Sequence, residues 1–251
     1  MNQQGPIVRP VQRVNPLSWA LLKPFSPEAR RLATSLVVTV DRADPAHLAF
    51  DILRTKVLQN ARDDGWQALG ITAPTVGCGK ATIALNLAFS LAKQRELKIV
   101  LVDLDLRHPR IGKMLGIAGM ATLQDFLRGE CPTESAFVRI DDNLAIGATA
   151  LSTPHPAELL HSPATAQSLK RLKQDLNPDI IVYNLPPMLT SDDCIGLMPH
   201  VETAILVVGA EQSTMAEIDV CERELREQSK LLGVVLNKCR YTTAQFDNYQ
   251  S

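Results

Sequence analysis

Short, continuous apolar runs alternate along the chain with stretches of helical periodicity, and this alternation constrains the fold more than any other feature. Runs rich in Val, Ile and Leu, without polar alternation, are typical of strands buried on both faces of a parallel sheet. The strands predicted in this way are residues 36–40, 68–72, 98–103, 179–183, 204–208 and 232–236. Helices are expected between them, among others at residues 45–61 and 80–93. The pattern predicts an α/β fold with a doubly wound, mainly parallel sheet flanked by helices.

The distribution of proline divides the 251-residue chain into three parts. Five of the 16 prolines fall in the first 27 residues, where they prevent regular backbone hydrogen bonding. We therefore expect a flexible, Pro-rich N-terminal arm at residues 1–35, in which the segment around Trp19 is either a linker or a short docking element. The α/β domain is predicted at residues 36–240, followed by a short tail at residues 241–251 that carries two tyrosines.

Charge and cysteine content exclude several classes of protein. The 26 basic and 27 acidic residues give a net charge of −1, which argues against a protein that mainly coats nucleic acid or an anionic membrane. The five cysteines are scattered without C-x-x-C spacing, as expected for reduced thiols rather than a disulfide framework or a zinc site. No apolar run approaches the roughly 20 residues of a membrane-spanning helix, and no signal-peptide pattern opens the chain. We expect a cytoplasmic protein.

A glycine-rich turn, A-P-T-V-G-C-G-K-A-T, joins the strand at residues 68–72 to the following helix. Gly77 and Gly79 allow backbone N–H groups to turn toward an anion, and Lys80 stands where a P-loop lysine reaches the β- and γ-phosphates. Pro74 and Ala81 break the strict pattern G-x-x-x-x-G-K-S/T. The alternative is a structural turn, but the strand–turn–helix context favours phosphate binding. The predicted nucleotide-binding residues are Val76, Gly77, Cys78, Gly79, Lys80, Ala81, Thr82 and, at the purine edge, Asn237. The alternative for Asn237 is a solvent-exposed turn with Lys238.

Acidic and amide side chains follow two other predicted strands. Asp103 and Asp105 lie two residues apart, so they share one side of the extended chain. Paired carboxylates are costly unless a cation or a donor shares them. A solvated turn with an Asp–Arg pair is the alternative, but the nearby P-loop lysine favours Mg²⁺. We predict Lys80, Asp103 and Asp105 as catalytic residues. The same two aspartates would hold Mg²⁺, partly through water, and Asn184 would contribute weakly because it carries no charge.

Together these motifs resemble the bacterial tyrosine autokinases of capsule and exopolysaccharide synthesis, the BY-kinases. The resemblance covers residues 37–238. It rests on the strand followed by Asp103-x-Asp105-x-Arg107-x-Pro109, on H-P-A-E-L-L-H-S at residues 155–162, on the strand ending in Pro186-Pro187, and on L-G-V-V-L-N at residues 232–237. It implies a P-loop NTPase of the Min/Par-like branch. The related partition ATPases carry an extra lysine early in the loop, where this chain has Thr75.

The resemblance also implies a function. It implies binding of ATP and Mg²⁺, transfer of the γ-phosphate to tail tyrosines (Tyr241 and Tyr249 here), and a partner, an inner-membrane polysaccharide co-polymerase that recruits the protein to the membrane. The family's E-x-x-R-x-x-R oligomerisation motif appears as Leu48-x-x-Asp51-x-x-Arg54. Because two of its three charges are replaced, we expect a homo-oligomer only with the partner. No nucleic acid is expected as a ligand.

Two functional hypotheses follow from these departures. Ala81 lacks the hydroxyl that binds Mg²⁺ in a P-loop, and Asn184 lacks the usual negative charge. The first hypothesis is a weak ATP-dependent tyrosine autokinase, in which the retained aspartates still support phosphoryl transfer. The alternative is a catalytically inactive, nucleotide-binding regulator (a pseudokinase) of the same machinery. A partition-type ATPase acting on DNA is disfavoured by the near-neutral charge and by Thr75.

Overall fold

A single eight-stranded sheet organises the computed structural model, which describes residues 16–40, 44, 46–117, 123–228 and 230–239. The strands are β1 (Lys23–Pro24), β2 (Ala68–Thr72), β3 (Ile99–Asp103), β4 (Phe137–Ile140), β5 (Leu144–Gly147), β6 (Ile180–Asn184), β7 (Thr203–Gly209) and β8 (Lys230–Asn237). Their order across the sheet is β1-β4-β5-β3-β6-β2-β7-β8. In this order, all neighbouring strands from β5 across to β8 are parallel. The strand β4 runs antiparallel to β5, and β1 pairs in parallel with β4. The predicted mainly parallel sheet is confirmed.

Helices connect the strands. The α-helices are α1 (Pro16–Leu21), α2 (Ala29–Thr34), α3 (His47–Asp64), α4 (Lys80–Leu91), α5 (Ile111–Leu115), α6 (Leu123–Arg128), α7 (Thr133–Ala136), α8 (Pro156–Leu160), α9 (Pro163–Leu176) and α10 (Met215–Gln228). Two 3₁₀ helices occupy Val38–Val40 and Asp192–His200. Among the described helices, none combines the length and the apolar character that crossing a bilayer requires.

The sheet separates two apolar cores, as a doubly wound fold requires. Side chains of β3 alternate between them: Val100 and Val102 pack into one core, whereas Ile99 and Leu101 pack into the other. The helix α9 contributes to the first core and α4 to the second. Burial of both faces explains why β2, β3, β6 and β7 read as continuous apolar runs in the sequence.

The predicted strand at residues 36–40 is wrong. Leu36 has a left-handed backbone with φ 56°, and Val38–Val40 form a 3₁₀ turn. The backbone N–H of Thr39 donates to Asn86 Oδ1 at 3.1 Å, and its hydroxyl donates to the Asn86 carbonyl at 3.2 Å. Because a side chain of α4 takes this N–H group, a β-branched run that favours a strand by propensity forms a turn instead.

The segment before the predicted domain also differs from the expectation. Residues 16–35 contain α1, β1 and α2, although the prolines predicted a flexible arm without regular structure. Trp19 is buried, its Nε1 donates to the Leu176 carbonyl at 2.7 Å, and Lys98 Nζ lies 4.9 Å from its ring centroid. These contacts explain the order of this segment. The remainder of the predicted arm, residues 1–15, lies outside the described residues.

Candidate nucleotide site

The phosphate loop connects β2 to α4 at the C-terminal edge of the sheet, where ligands of such folds bind. Gly77 and Gly79 have φ angles of 92° and 93°, in the left-handed region that favours glycine. A Cβ atom at position 79 would overlap the side-chain amide of Asn237, so both backbone conformation and space require glycine there. The first residue of α4 is Lys80, which lies at the positive end of the helix.

Two neighbouring segments hold the loop in this conformation. Asn237, the last residue of β8, donates from Nδ2 to the Cys78 carbonyl at 2.8 Å. Gln212, in the turn after β7, donates from Nε2 to the Val76 carbonyl at 2.7 Å. The structure thus places Asn237 against the loop backbone, and its predicted contact with the purine edge stays a prediction. Gln212 was not predicted, although its position just past a strand's C-terminal end is the signal that could have found it.

Lys80 and Asp105 form a buried ion pair between Nζ and Oδ2. Lys80 is only 7% exposed and Asp105 only 1% exposed. The second oxygen of Asp105, Oδ1, accepts the backbone N–H of His108 at 3.1 Å. A buried ammonium group is tolerated only with such a partner. The ion pair therefore holds the Lys80 side chain next to the predicted catalytic aspartates.

Asp103 is fully buried and accepts three hydrogen bonds. Its Oδ1 accepts from Asn184 Nδ2 at 2.7 Å. Its Oδ2 accepts the backbone N–H groups of Arg110 and Ile111, at the start of α5, at 3.2 and 3.0 Å. Burial raises the pKa of Asp103 to about 6, and these hydrogen bonds only partly oppose the shift. Asp103 therefore ties β3 to β6 and to the first turn of α5.

The residues at this edge fit a nucleotide and its cation in part. The left-handed glycines, the helix start and Lys80 form an anion site. For Mg²⁺, Asp105 offers a carboxylate, and Asn184 Oδ1 is a buried acceptor without a hydrogen-bond partner among the described residues. No group of three or more His, Cys, Asp or Glu within the described ranges is placed to hold a metal ion by itself. The residues therefore fit a Mg²⁺ ion held jointly with phosphate oxygens and water.

A second ion pair borders the site and was missed by sequence reasoning. Arg107 Nε donates to Asp193 Oδ2 at 2.8 Å and Arg107 Nη2 to Oδ1 at 3.0 Å, a bidentate arrangement. Burial alone would raise the pKa of Asp193, but the hydrogen bonds and the charge of Arg107 outweigh it and lower the pKa. In the sequence, Arg107 stands out only as part of the motif Asp103-x-Asp105-x-Arg107-x-Pro109. Nothing local in the sequence links it to Asp193, 86 residues away.

The structure brings most of the predicted site residues to one edge of the sheet. The loop from Val76 to Thr82, the Lys80–Asp105 pair and the Asp103–Asn184 pair lie at the ends of β2, β3 and β6. Ala81 is buried in the first turn of α4. Tyr241 and Tyr249 lie outside the described residues.

Comparison with known proteins agrees with this geometry. The protein-family model described as "ParA: NUBPL iron-transfer P-loop NTPase" matches residues 67–250. The putative tyrosine-protein kinase EpsB of Ralstonia nicotianae is 29% identical over 196 residues, which are 77% of this chain but 26% of EpsB. The chain thus spans about a quarter of that relative. The tyrosine-protein kinase YwqD of Bacillus subtilis is 27% identical over 75% of this chain and 79% of its own length.

Solved structures give the same result. The chimerical protein CapA2B2 superposes with a TM-score of 0.74 at 26% identity, covering 88% of this chain and 93% of its own. The septum site-determining protein MinD of Pyrococcus horikoshii, complexed with Mg-ADP, has a TM-score of 0.57 at 26% identity and covers 72% of each chain. The resemblance found in the sequence motifs is confirmed: the relatives that the chain matches are bacterial tyrosine-protein kinases, and this chain belongs to the ParA family of P-loop NTPases.

Proposed function

We propose that this chain binds ATP with Mg²⁺ at the P-loop and transfers the γ-phosphate slowly to its own tyrosines. The observation that carries the proposal is the buried Lys80–Asp105 pair, next to Asp103 and directly at the start of α4. A lysine and two carboxylates converging on an anion-binding loop are the groups that phosphoryl transfer needs, because this reaction depends on positioning and charge neutralisation. The kinship with tyrosine-protein kinases supports the same reaction class.

Each side chain has a role in this proposal. Lys80 exchanges Asp105 for the β- and γ-phosphates when the nucleotide binds, and the exchange frees Asp105 to take part in holding the cation. Mg²⁺, when bound, neutralises the charge that develops between the β- and γ-phosphates. Asp103 fixes the position of the strand ends, since three donors already hold its carboxylate. A tyrosine hydroxyl attacks the γ-phosphorus, the bond from this phosphorus to the oxygen that bridges to the β-phosphate breaks, and ADP leaves; the hydroxyl proton passes to a carboxylate at this edge.

The acceptor tyrosines of the proposal are Tyr241 and Tyr249. The third tyrosine of the chain, Tyr183, is fully buried inside β6, and burial raises its pKa above the ordinary value. It is therefore unsuited as a phosphate acceptor. Tyr241 follows the last residue of β8, Asn237, by only four positions, and Asn237 contacts the phosphate loop. In sequence, both acceptor candidates thus follow shortly after a strand end that contacts the phosphate loop.

One specific observation favours a second candidate, the catalytically inactive regulator. Ala81 provides no hydroxyl for Mg²⁺, and the hydroxyl of Thr72, the last residue of β2, is already used, since its Oγ1 donates to the Pro186 carbonyl at 2.8 Å. The uncharged Asn184 adds nothing to the charge at the cation site. In this second candidate the bound nucleotide would control docking to a partner, and no phosphate would be transferred.

The partner in either case is proposed to be an inner-membrane polysaccharide co-polymerase of exopolysaccharide or capsule synthesis, which would recruit this cytoplasmic protein to the membrane. The side chains of α3 at the motif positions support assembly only with that partner. Arg54, the surviving charge of the oligomerisation motif, donates to Asp51 Oδ1 at 2.7 Å and to Ser90 Oγ at 3.1 Å. Its guanidinium is thus engaged within the subunit, and Leu48 exposes an apolar side chain where the motif has a charge.

The test is incubation of the purified chain with MgATP, alone and with the cytosolic segment of the candidate partner. Mass spectrometry then measures phosphate on Tyr241 and Tyr249, with Tyr241→Phe/Tyr249→Phe as the matched control. Slow phosphorylation that the control lacks supports the kinase. Tight nucleotide binding without phosphotyrosine selects the regulator. Absence of nucleotide binding contradicts both.

A further inference from the structure

A groove of about 1340 Å³ separates α3 from β8. Its floor includes Ile83 of α4 and Ile205 of β7, two side chains of the buried core. Leu48 and Ile52 of α3 line one wall and are exposed to solvent, and residues 232–239 line the other wall. The groove is thus an opening in the apolar layer that covers this side of the sheet.

The helix α3 is only loosely packed. All 18 of its residues are described, and Val57 alone among them is buried. The helix packs mainly against α4 and the 3₁₀ turn Val38–Val40, so its side toward β8 has no comparable partner in the described part of the chain. A helix of this length normally buries an apolar stripe along one side. The missing cover of α3 therefore belongs in the groove.

The other wall, β8, is the last strand of the sheet. Among the described strands β7 is its only neighbour, and along its eight residues Val234 and Leu236 remain 46% and 60% exposed. An edge strand presents backbone N–H and C=O groups without sheet partners, and a long apolar edge pairs with other chains unless it is covered. Both walls of the groove therefore suit the same occupant, a polypeptide segment with apolar side chains.

The chain itself provides such a segment. Residues 240–251, which lie outside the described residues, directly follow Cys239, and Cys239 lines the groove. Three of these 12 residues, Tyr241, Phe246 and Tyr249, are aromatic, against 4% of the whole chain, and only two are charged. Aromatic side chains bury a large apolar area for each residue that is ordered. The composition of the segment therefore matches the groove beside which it starts.

The covalent connection favours this segment over a second copy of the chain. A short linker gives a tethered segment an effective concentration in the millimolar range, which a separate molecule reaches only at high protein concentration. Lys238 has a left-handed backbone with φ 61°, so the chain turns at the end of β8. Phe246 follows Cys239 by seven residues, which reach about 23 Å when extended. This reach allows Phe246 to lie in the groove between the two walls.

We propose that residues 240–251 dock in the groove between α3 and β8, with Phe246 as the apolar anchor. Phe246 suits this role because it carries no hydroxyl group that needs a hydrogen-bond partner when buried. The docked segment covers the free edge of β8, and any other chain that pairs with this edge has to displace it. The inference goes beyond the proposed function, since docking requires neither nucleotide nor phosphate.

The first test measures amide hydrogen exchange of residues 232–237 by mass spectrometry, without nucleotide, in the wild type, Phe246→Ala and Gln245→Ala. Burial of a phenylalanine side chain favours a docked state by about 10-fold or more. We therefore expect these amides to exchange about 10-fold faster in Phe246→Ala, because the segment undocks. Gln245→Ala is the matched control, which truncates the neighbouring polar side chain and leaves the rates unchanged. Equal rates in the wild type and Phe246→Ala overturn the inference.

A second test changes the groove and leaves the segment intact. Ile52→Asp places a charge on the α3 wall, at a side chain that is already partly exposed, and should release the segment in the same way. The amides of β8 then exchange as fast as in Phe246→Ala, and the double variant shows no further increase, since both changes break one contact. Accelerations that multiply in the double variant overturn the contact between Phe246 and the groove.

Protein concentration distinguishes the segment from a second copy. Protection of β8 that is independent of concentration, in a chain that sediments as a monomer, supports docking within one molecule. Protection that grows with concentration together with a dimer assigns the groove to a second copy and overturns the proposal. None of these measurements involves ATP, so a failure here leaves the proposed function standing, and loss of nucleotide binding would leave the docked segment standing.

Discussion

Replacement of Asp105 by asparagine isolates the ion pair on which the phosphate site depends. The side chains of Lys80 and Asp105 are 9% and 1% exposed, so the range for surface pairs, about 0–1 kcal/mol, does not apply. Removal of one partner from a buried pair costs about 3–5 kcal/mol, because the remaining charge stays buried without compensation. We expect Asp105→Asn to lower the free energy of unfolding by this amount. In a chain of this size, a loss of 1 kcal/mol lowers the Tm by about 2–4 °C, so we expect the Tm of Asp105→Asn to fall by about 6–20 °C.

The assay is urea unfolding of four proteins: wild type, Asp105→Asn, Lys80→Met and the double variant. Because Lys80→Met removes the charge that Asp105→Asn leaves unpaired, the double variant should lose less stability than the sum of the two single losses. ADP without Mg²⁺ should stabilise Asp105→Asn more than wild type, since the phosphates replace the missing counter-charge of Lys80. Additive losses, or an Asp105→Asn protein as stable as wild type, would refute the reasoning.

Three further predictions address the cation site, a buried carboxylate and the N-terminal segment. Ala81→Ser restores a hydroxyl at the start of α4 and should raise Mg²⁺-dependent phosphate release from ATP; an unchanged rate would mean that the hydroxyl does not limit turnover. The folded protein holds the pKa of Asp103 near 6, above its value in the unfolded chain, so this group stabilises the fold most below about pH 4, and its contribution is lost as the pH rises through 6. Urea unfolding in EDTA gives the free energy of unfolding of the wild type and of Asp103→Asn at each pH. The difference, wild type minus variant, should fall as the pH rises from about 4 through 6, and a flat or rising difference would contradict the raised pKa of Asp103. Trp19→Ala should cost about 3–5 kcal/mol. Trp19→Phe should cost less, because phenylalanine keeps an aromatic ring in the core and loses the bond to the Leu176 carbonyl and part of the ring volume; urea midpoints equal to wild type would place this segment outside the cooperative fold.

The parallel strands could be predicted because their burial on both faces leaves a continuous apolar run. The run at residues 36–40 has the same composition but forms a turn, since its partner is the Asn86 side chain and not a strand. The short strands β4 and β5 escaped prediction, although apolar runs flank their connecting turn. Trp19 is ordered by contacts with residues far along the chain, which proline content does not reveal.

The parts of the site that could be predicted are those encoded by local spacing. The glycines of the loop, Lys80 and the strand-end aspartates are of this kind. The pairing of Asp103 with Asn184 joins residues 81 positions apart and exists because β3 lies next to β6. Local spacing does not give the register that sets these two residues side by side, and so it could not indicate that Asn184 donates to Asp103. The bidentate Arg107–Asp193 pair was missed for the same reason.

The most direct test of the account is calorimetric titration of MgATP into the wild type and Lys80→Ala. The central claim is that the nucleotide's phosphates bind the loop through Lys80, so loss of this charge-assisted contact should weaken binding by about 10-fold or more. Thermal unfolding checks that the variant is folded at the temperature of the titration. Equal MgATP affinities of two folded proteins would contradict the claim and would leave the glycine-rich loop as a structural turn.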